Sequence, residues 1–148
     1  MGIGGGWLIR DSGIGTTGRS IGTYDIRNPA NISTIQTTML VITAPGPNST
    51  QNVAHAHEVI PDPRGKFVVV LSLCAADLRW VFETPKNSPP HDKPISVIEV
   101  KVPKGSGPRH GTFVVTEERF TYFYILTQIS NELIGFKVSG LRKGWDKV

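Results

Sequence analysis

Residues 57–70 read HEVIPDPRGKFVVV, and residues 110–125 read HGTFVVTEERFTYFYI. Each segment opens with a histidine, continues through a short apolar stretch and a turn-forming region, and ends in a second apolar run. The spacing is 53 residues from His57 to His110 and 55 residues from Lys66 to Thr121. Similarity at a nearly constant spacing indicates one structural unit that is used more than once.

The two copies continue in the same way beyond these segments. An apolar run, at residues 67–71 in one copy and 122–126 in the other, is followed by small or polar residues. A second strand-like stretch then occupies residues 78–82 or residues 133–138. Two such stretches joined by a turn predict a β-hairpin in each copy.

Further strand-like stretches complete the unit. Residues 38–43 are largely apolar, and residues 95–102 alternate with the two-residue period of a half-buried strand. A fainter copy precedes them, with a strand at residues 7–9, a loop of Gly, Ser and Thr at residues 12–18, and a strand at residues 20–26. The 16 glycines and 11 prolines of the chain favour turns between short strands over long helices.

This pattern predicts an all-β fold made of β-propeller blades, each with four antiparallel strands. About three blades fit the chain, with approximate limits at residues 1–54, 55–108 and 109–148. Since propellers close with roughly 4 to 8 blades, we expect an incomplete ring. Its open blade edges predict a fragment, a truncated gene product or a chain that associates with a partner or with itself.

Charge and composition argue against several classes of protein. The net charge is +4, but the basic residues are scattered, and only Arg142, Lys143 and Lys147 resemble a patch, so we expect no nucleic-acid partner. No stretch approaches the ~20 apolar residues of a membrane span, so we expect no membrane partner. The single cysteine, Cys74, excludes an internal disulfide. We expect a cytoplasmic protein, or a secreted one if the native N-terminus is missing.

Two histidines open the second unit. His55 and His57 flank one alanine, and residues two apart on a strand point to one face, so both side chains are candidates for one cavity. Two histidines also begin many metal sites, but a catalytic zinc ion needs three protein ligands and no third is evident nearby. We therefore expect no metal, and two satisfied strand histidines remain the alternative.

A basic pair opens the third unit. Arg109 and His110 follow Gly-Ser-Gly-Pro at residues 105–108, which predicts a defined turn before them. The guanidinium of Arg109 carries a fork of donors suited to a carboxylate or a phosphate. Pairing of Arg109 with a neighbouring carboxylate of the chain is the alternative, and the residues alone leave both open.

Taken together, residues 45–48, 55–67, 105–113 and 121–133 resemble the fungal branch of the lactonase family of seven-bladed propellers. That family includes 6-phosphogluconolactonases and fungal enzymes that cyclise 3-carboxy-cis,cis-muconate to a lactone. The resemblance implies a small anionic lactone or dicarboxylate as ligand, chemistry without a cofactor, and an active site in the central channel of the propeller.

The resemblance also implies the site residues. His57, Arg109 and residue 128 match the histidine, arginine and acid positions of the family, with His55, His110 and Arg109 as binding residues. This chain departs from the pattern at Gln128, because an amide cannot act as a general base. Two functions follow: a lactone hydrolase or cycloisomerase, or a non-catalytic propeller-like binding module or inactive remnant.

Overall fold

The computed structural model describes residues 7–9, 12–17, 19–40, 42, 45–65, 67–73, 80–83, 95–139 and 145–148. Their strands form three four-stranded antiparallel sheets. The first sheet contains β1 (Trp7–Ile9), β2 (Ser12–Thr17), β3 (Ser20–Asp25) and β4 (Ser33–Met39). The second contains β5 (Ala56–Pro61), β6 (Phe67–Ser72), β7 (Trp80–Glu83) and β8 (Ile95–Glu99). The third contains β9 (Pro108–Val115), β10 (Thr121–Thr127), β11 (Leu133–Val138) and β12 (Trp145–Lys147).

Each sheet pairs its strands in chain order, as a meander of hairpins. The hairpins predicted from the repeat are present, since β6 pairs with β7 and β10 pairs with β11. The predicted start of β7, at residues 78–79, lies outside the described residues. A short 3-10 turn, Ser49–Gln51, lies between the first and second sheets.

The first sheet differs from two of the predictions made from the sequence. Residues 12–17, predicted as a loop, form β2, which pairs with both β1 and β3. Its Gly, Ser and Thr content suggests a turn, but a central strand gains hydrogen bonds on both edges, and this outweighs weak intrinsic preference. The strand predicted at residues 38–43 is also displaced, because β4 begins at Ser33 and ends at Met39. Of the remaining predicted stretch, residues 41 and 43 lie outside the described residues.

The core is organised by β6, whose side chains are buried on both faces. Phe67, Val69 and Leu71 pack towards the third sheet. Val68 and Val70 pack towards the first sheet. A strand enclosed by two neighbouring layers has no solvent face, which explains why its sequence is a continuous apolar run.

Aromatic side chains fill the interface between the second and third sheets. Phe113 and Phe123 lie with ring centroids 4.5 Å apart, and Trp145 lies 5.5 Å from Phe123 and 5.9 Å from Phe67. Offset and tilted aromatic pairs at these separations stabilise a core beyond the area that they bury. The third sheet is thereby held against the second.

Gly111 lets β9 approach the second sheet closely. A Cβ at this position would lie 2.7 Å from Cζ of Phe123, closer than real Cβ contacts, and 3.1 Å from Cδ1 of Ile60, tighter than most of them. The lack of a side chain at Gly111 therefore allows the first strands of two neighbouring sheets to approach closely. Within the described ranges, no helix is long and apolar enough to cross a membrane.

We predict that Leu71→Ala lowers the free energy of unfolding by about 2–5 kcal/mol, because it leaves a cavity at a fully buried position between two sheets. Leu133→Ala is the matched control, since Leu133 is 69% exposed and its loss should cost less than about 1 kcal/mol. Chemical denaturation of both variants measures the difference. Equal losses would contradict the assignment of β6 to the core.

Candidate functional site

Two β-bulges bring the site residues to the same end of neighbouring sheets. In β5, Ala56 pairs with Ser72 and Glu58 with Leu71, which leaves His57 as an extra residue in its strand. In β9, His110 pairs with Leu126 and Pro108 with Thr127, which leaves Arg109 as the extra residue. Bulges bend a strand and redirect the side chain that they carry, and they are frequent beside active sites.

The bulges show that His57 and Arg109 occupy equivalent positions in their sheets. Alignment of the repeats on His57 and His110 is therefore displaced by one residue at this point. Both strands carry the bulge, so the displacement does not come from it but from matching the two histidines by residue type. By the same pairing, Glu58 is the structural equivalent of His110.

The first strands of the two sheets meet at a pair of imidazole rings. The ring centroids of His57 and His110 lie 4.8 Å apart with an interplanar angle of 87°. Beside them, Nη1 of Arg109 donates a hydrogen bond to Oε1 of Gln128. Four of the five residues expected from the family resemblance, namely His57, Arg109, His110 and Gln128, thus lie in one cluster.

Glu58 adds a carboxylate that sequence reasoning missed. Its Oε2 accepts a hydrogen bond of 2.9 Å from the main-chain N–H of Gly111 and lies 3.6 Å from Nδ1 of His110. The only signal in the sequence was that Glu58 adjoins His57. Strict alternation along β5 would place the two side chains on opposite faces, and only the bulge at His57 removes that expectation.

The protonation of His57 depends on this cluster. Burial, the Arg109 guanidinium and His110 lower the pKa of His57 below its usual value near 6.5. The Glu58 carboxylate and the Arg109 main chain oppose that shift without cancelling it. His57 is therefore predominantly neutral at pH 7. Its Nδ1 is buried and has no hydrogen-bond partner within the described part of the chain.

Main-chain hydrogen bonds of the loop before β9 hold Arg109 and Gln128 side by side. Gly105 and Gly107 have φ values of +82° and +68°, which favour glycine. The carbonyl of Gly107 accepts the N–H of Gln128 at 2.8 Å, and the carbonyl of Ser106 accepts the N–H of Ile129 at 3.0 Å. The segment before β9 is thereby fixed against the turn between β10 and β11.

His55 lies apart from the imidazole pair. It precedes β5, its side chain is exposed, and its main-chain N–H donates to Oγ of Ser72 at 3.2 Å. The bulge at His57 interrupts the strict alternation on which the expected sharing of one strand face by His55 and His57 was based, and that sharing stays a prediction. Among the described residues, no group of three or more His, Cys, Asp or Glu side chains is arranged to hold a metal ion.

Comparison with known proteins adds to this geometry. Residues 17–143 match the family described as lactonase, 7-bladed beta-propeller. The chain belongs to this lactonase family. Its three sheets are blades of that propeller, so the predicted fold class is confirmed.

Relatives of the lactonase chain include the Arthroderma benhamiae protein named "Probable 6-phosphogluconolactonase", which is 28% identical over 93 residues. This match covers 60% of the chain and 21% of the relative. The structure of the Pseudomonas aeruginosa periplasmic gluconolactonase superposes with a TM-score of 0.77 at 19% identity, over 97% of the chain and 40% of that protein. A Bacteroides uniformis structure gives a TM-score of 0.79 at 18% identity with the same coverage. The chain thus spans less than half the length of these relatives.

We predict that Arg109→Gln raises the pKa of His57 towards 6.5, because it removes a positive charge that disfavours the imidazolium. The NMR titration of the His57 ring, assigned with a His57→Gln variant, measures the change. Arg64→Gln is the control, since Arg64 is exposed in the turn after β5 and does not act on His57. An unchanged midpoint in Arg109→Gln would contradict the proposed electrostatics.

We predict that Gly107→Ala destabilises the lactonase chain more than Gly65→Ala. Both glycines have positive φ, so either alanine costs about 1 kcal/mol in backbone strain. A Cβ at residue 107 would also lie 2.8 Å from Cγ1 of Ile129, whereas at residue 65 no described residue other than the chain neighbours lies within 4 Å. We expect a further 1–3 kcal/mol, roughly, from this overpacking. Equal unfolding free energies of the two variants would show that the loop accommodates the added methyl group without cost.

Proposed function

We propose that this chain binds a small anionic lactone at Arg109 and His110 and hydrolyses its ester bond with His57 as general base. The observation that carries the proposal is the pairing of a neutral, half-buried imidazole with a guanidinium whose hydrogen-bond partner is an uncharged amide. The first group suits proton transfer and the second suits an anion. Family membership supports the same class of chemistry.

Arg109 retains its charge for a ligand. Gln128 accepts a hydrogen bond from one guanidinium nitrogen but brings no negative charge. Within the described ranges, no carboxylate forms an ion pair with Arg109. The remaining donors of the fork match two oxygens of a phosphate or carboxylate. His110, 51% exposed at its side chain, lies beside them and lines the same binding region.

His57 fits the role of general base. With its pKa lowered, it carries a free lone pair at pH 7 and takes a proton from an attacking water. The water oxygen bonds to the lactone carbonyl carbon, and the ester bond to the ring oxygen breaks. His57 returns the proton to the ring oxygen, which becomes the hydroxyl of the hydroxy acid. The exposed His55 contributes, in this proposal, to the outer part of the binding region.

The names of related proteins support the substrate class. The Arthroderma benhamiae relative is named for 6-phosphogluconolactone, which combines a phosphate with a lactone ester. A carboxymuconolactone has the same two features, with a carboxylate in place of the phosphate. Both compounds therefore fit the proposed substrate class.

Gln128 favours a second candidate, a module that binds such anions without turnover. The family pattern has an acid at this position, and the amide that replaces it can neither accept nor release a proton for catalysis. Its hydrogen bond to Arg109 still organises an anion site. Binding without hydrolysis is the property that separates this candidate from the first.

We predict that the chain hydrolyses 6-phosphogluconolactone above the spontaneous rate and that Arg109→Gln lowers kcat/KM by roughly 10- to 100-fold, as expected for a lost charged hydrogen bond. Uncharged gluconolactone is the matched control substrate, and its kcat/KM should change less than about threefold. Size-exclusion chromatography of the same sample assigns the activity to a defined species. Similar losses for both substrates would remove Arg109 from anion binding.

The variant His57→Gln tests the role of His57 as general base, and the unmodified chain separates the two candidates. As general base, His57 contributes about 10²- to 10⁴-fold, and its protonation should make kcat/KM fall at a pH below 6.5. Anion binding with no turnover in the unmodified chain would establish the binding module. Absence of both binding and turnover would overturn the proposed function.

A further inference from the structure

We infer that Glu58 is a positioning residue of this site, whose carboxylate ties β5 to β9 and fixes His110 against His57. The inference deepens the proposed function and rests on it for the identity of the site. No step of the proposed hydrolysis passes through Glu58, which acts through the residues that it holds.

The first support is a hydrogen bond between two sheets. Oε2 of Glu58 accepts the N–H of Gly111 at 2.9 Å, although the two residues are 53 positions apart in the chain. β9 is the edge strand of the third sheet, so a row of its main-chain groups faces away from β10. Glu58 pairs with one of these groups and links the first strands of two blades.

The second support is the space around the link. A Cβ at Gly111 would lie 2.7 Å from Cζ of Phe123 and 3.1 Å from Cδ1 of Ile60 in β5, so the position is crowded by both sheets. This close approach brings the Glu58 carboxylate within reach of the β9 main chain. The hydrogen bond and the packing therefore act at the same point of the interface.

The third support is the position of His110. Its Nδ1 lies 3.6 Å from Oε2 of Glu58, and its ring meets that of His57 edge to face. One carboxylate oxygen thus faces both the main chain of Gly111 and the ring of His110. A shift of this oxygen would therefore move the His110 ring, which packs against His57.

The charge of Glu58 also reaches His57. The groups that act on His57 are Glu58 of β5 and Arg109 and His110 of β9. Of their side chains, only Glu58 raises the pKa of His57, while Arg109 and His110 lower it. Glu58 thus limits how far His57 departs from its usual range. Gln128, which is hydrogen-bonded to Arg109, is uncharged and therefore does not raise the pKa of His57 in this way.

Two variants test the inference by NMR on the whole chain. Glu58→Gln keeps an oxygen that can accept the Gly111 N–H but removes the charge, whereas Glu58→Ala removes both. We expect the His57 midpoint to fall in both variants. Hydrogen exchange at Gly111 should stay slow in Glu58→Gln and accelerate about tenfold in Glu58→Ala.

Glu132→Gln is the matched control. Glu132 is an exposed carboxylate in the turn after β10 and accepts a hydrogen bond from Ser130. Its replacement should change neither the His57 midpoint nor the exchange at Gly111. If both Glu58 variants behave like this control, the inference is overturned.

The kinetic readout separates this inference from the proposed function. In Glu58→Gln, the acid limb of kcat/KM should move to lower pH together with the His57 midpoint, which a purely structural carboxylate would not cause. If the unmodified chain shows no turnover, the proposed hydrolysis fails while the NMR result still decides the role of Glu58. If turnover occurs and the Glu58→Gln limb stays in place, the positioning role fails alone.

Discussion

The packing of apolar side chains from both faces of β6 is the interaction on which the rest of the structure depends. Alternate residues of this strand enter two different cores, one shared with the first sheet and one with the third. Burial of such side chains is the largest favourable term in folding. β6 is thereby packed against both neighbouring sheets, and the first strands of the second and third sheets meet beside it.

The electrostatic environment of His57 depends on the packing where β5 and β9 meet. Gly111 lets β9 approach the second sheet, and the two bulges then project His57 and Arg109 from equivalent places on adjacent strands. A cation near a half-buried imidazole disfavours its protonated form. Burial and the Arg109 guanidinium both lower the pKa of His57, and both follow from how closely the blades pack.

Charge is distributed unevenly within the cluster. Gln128 holds Arg109 without neutralising it. The carboxylate of the cluster instead comes from Glu58, on the neighbouring blade. The cluster thus holds a negative charge beside His110 and a positive charge beside Gln128.

The sequence by itself determined the repeated hairpins, the apolar run of β6 and the residue types His57 and Arg109, because these depend on local periodicity and on order along the chain. The loop predicted from the sequence at β2 was wrong, because Gly, Ser and Thr join a strand only when neighbouring strands supply hydrogen bonds on both edges. Only the tertiary structure decided the two bulges and the contact of Glu58 with Gly111 and His110. These features join residues about 50 positions apart through sheet packing, and no local pattern encodes the distance between two blades.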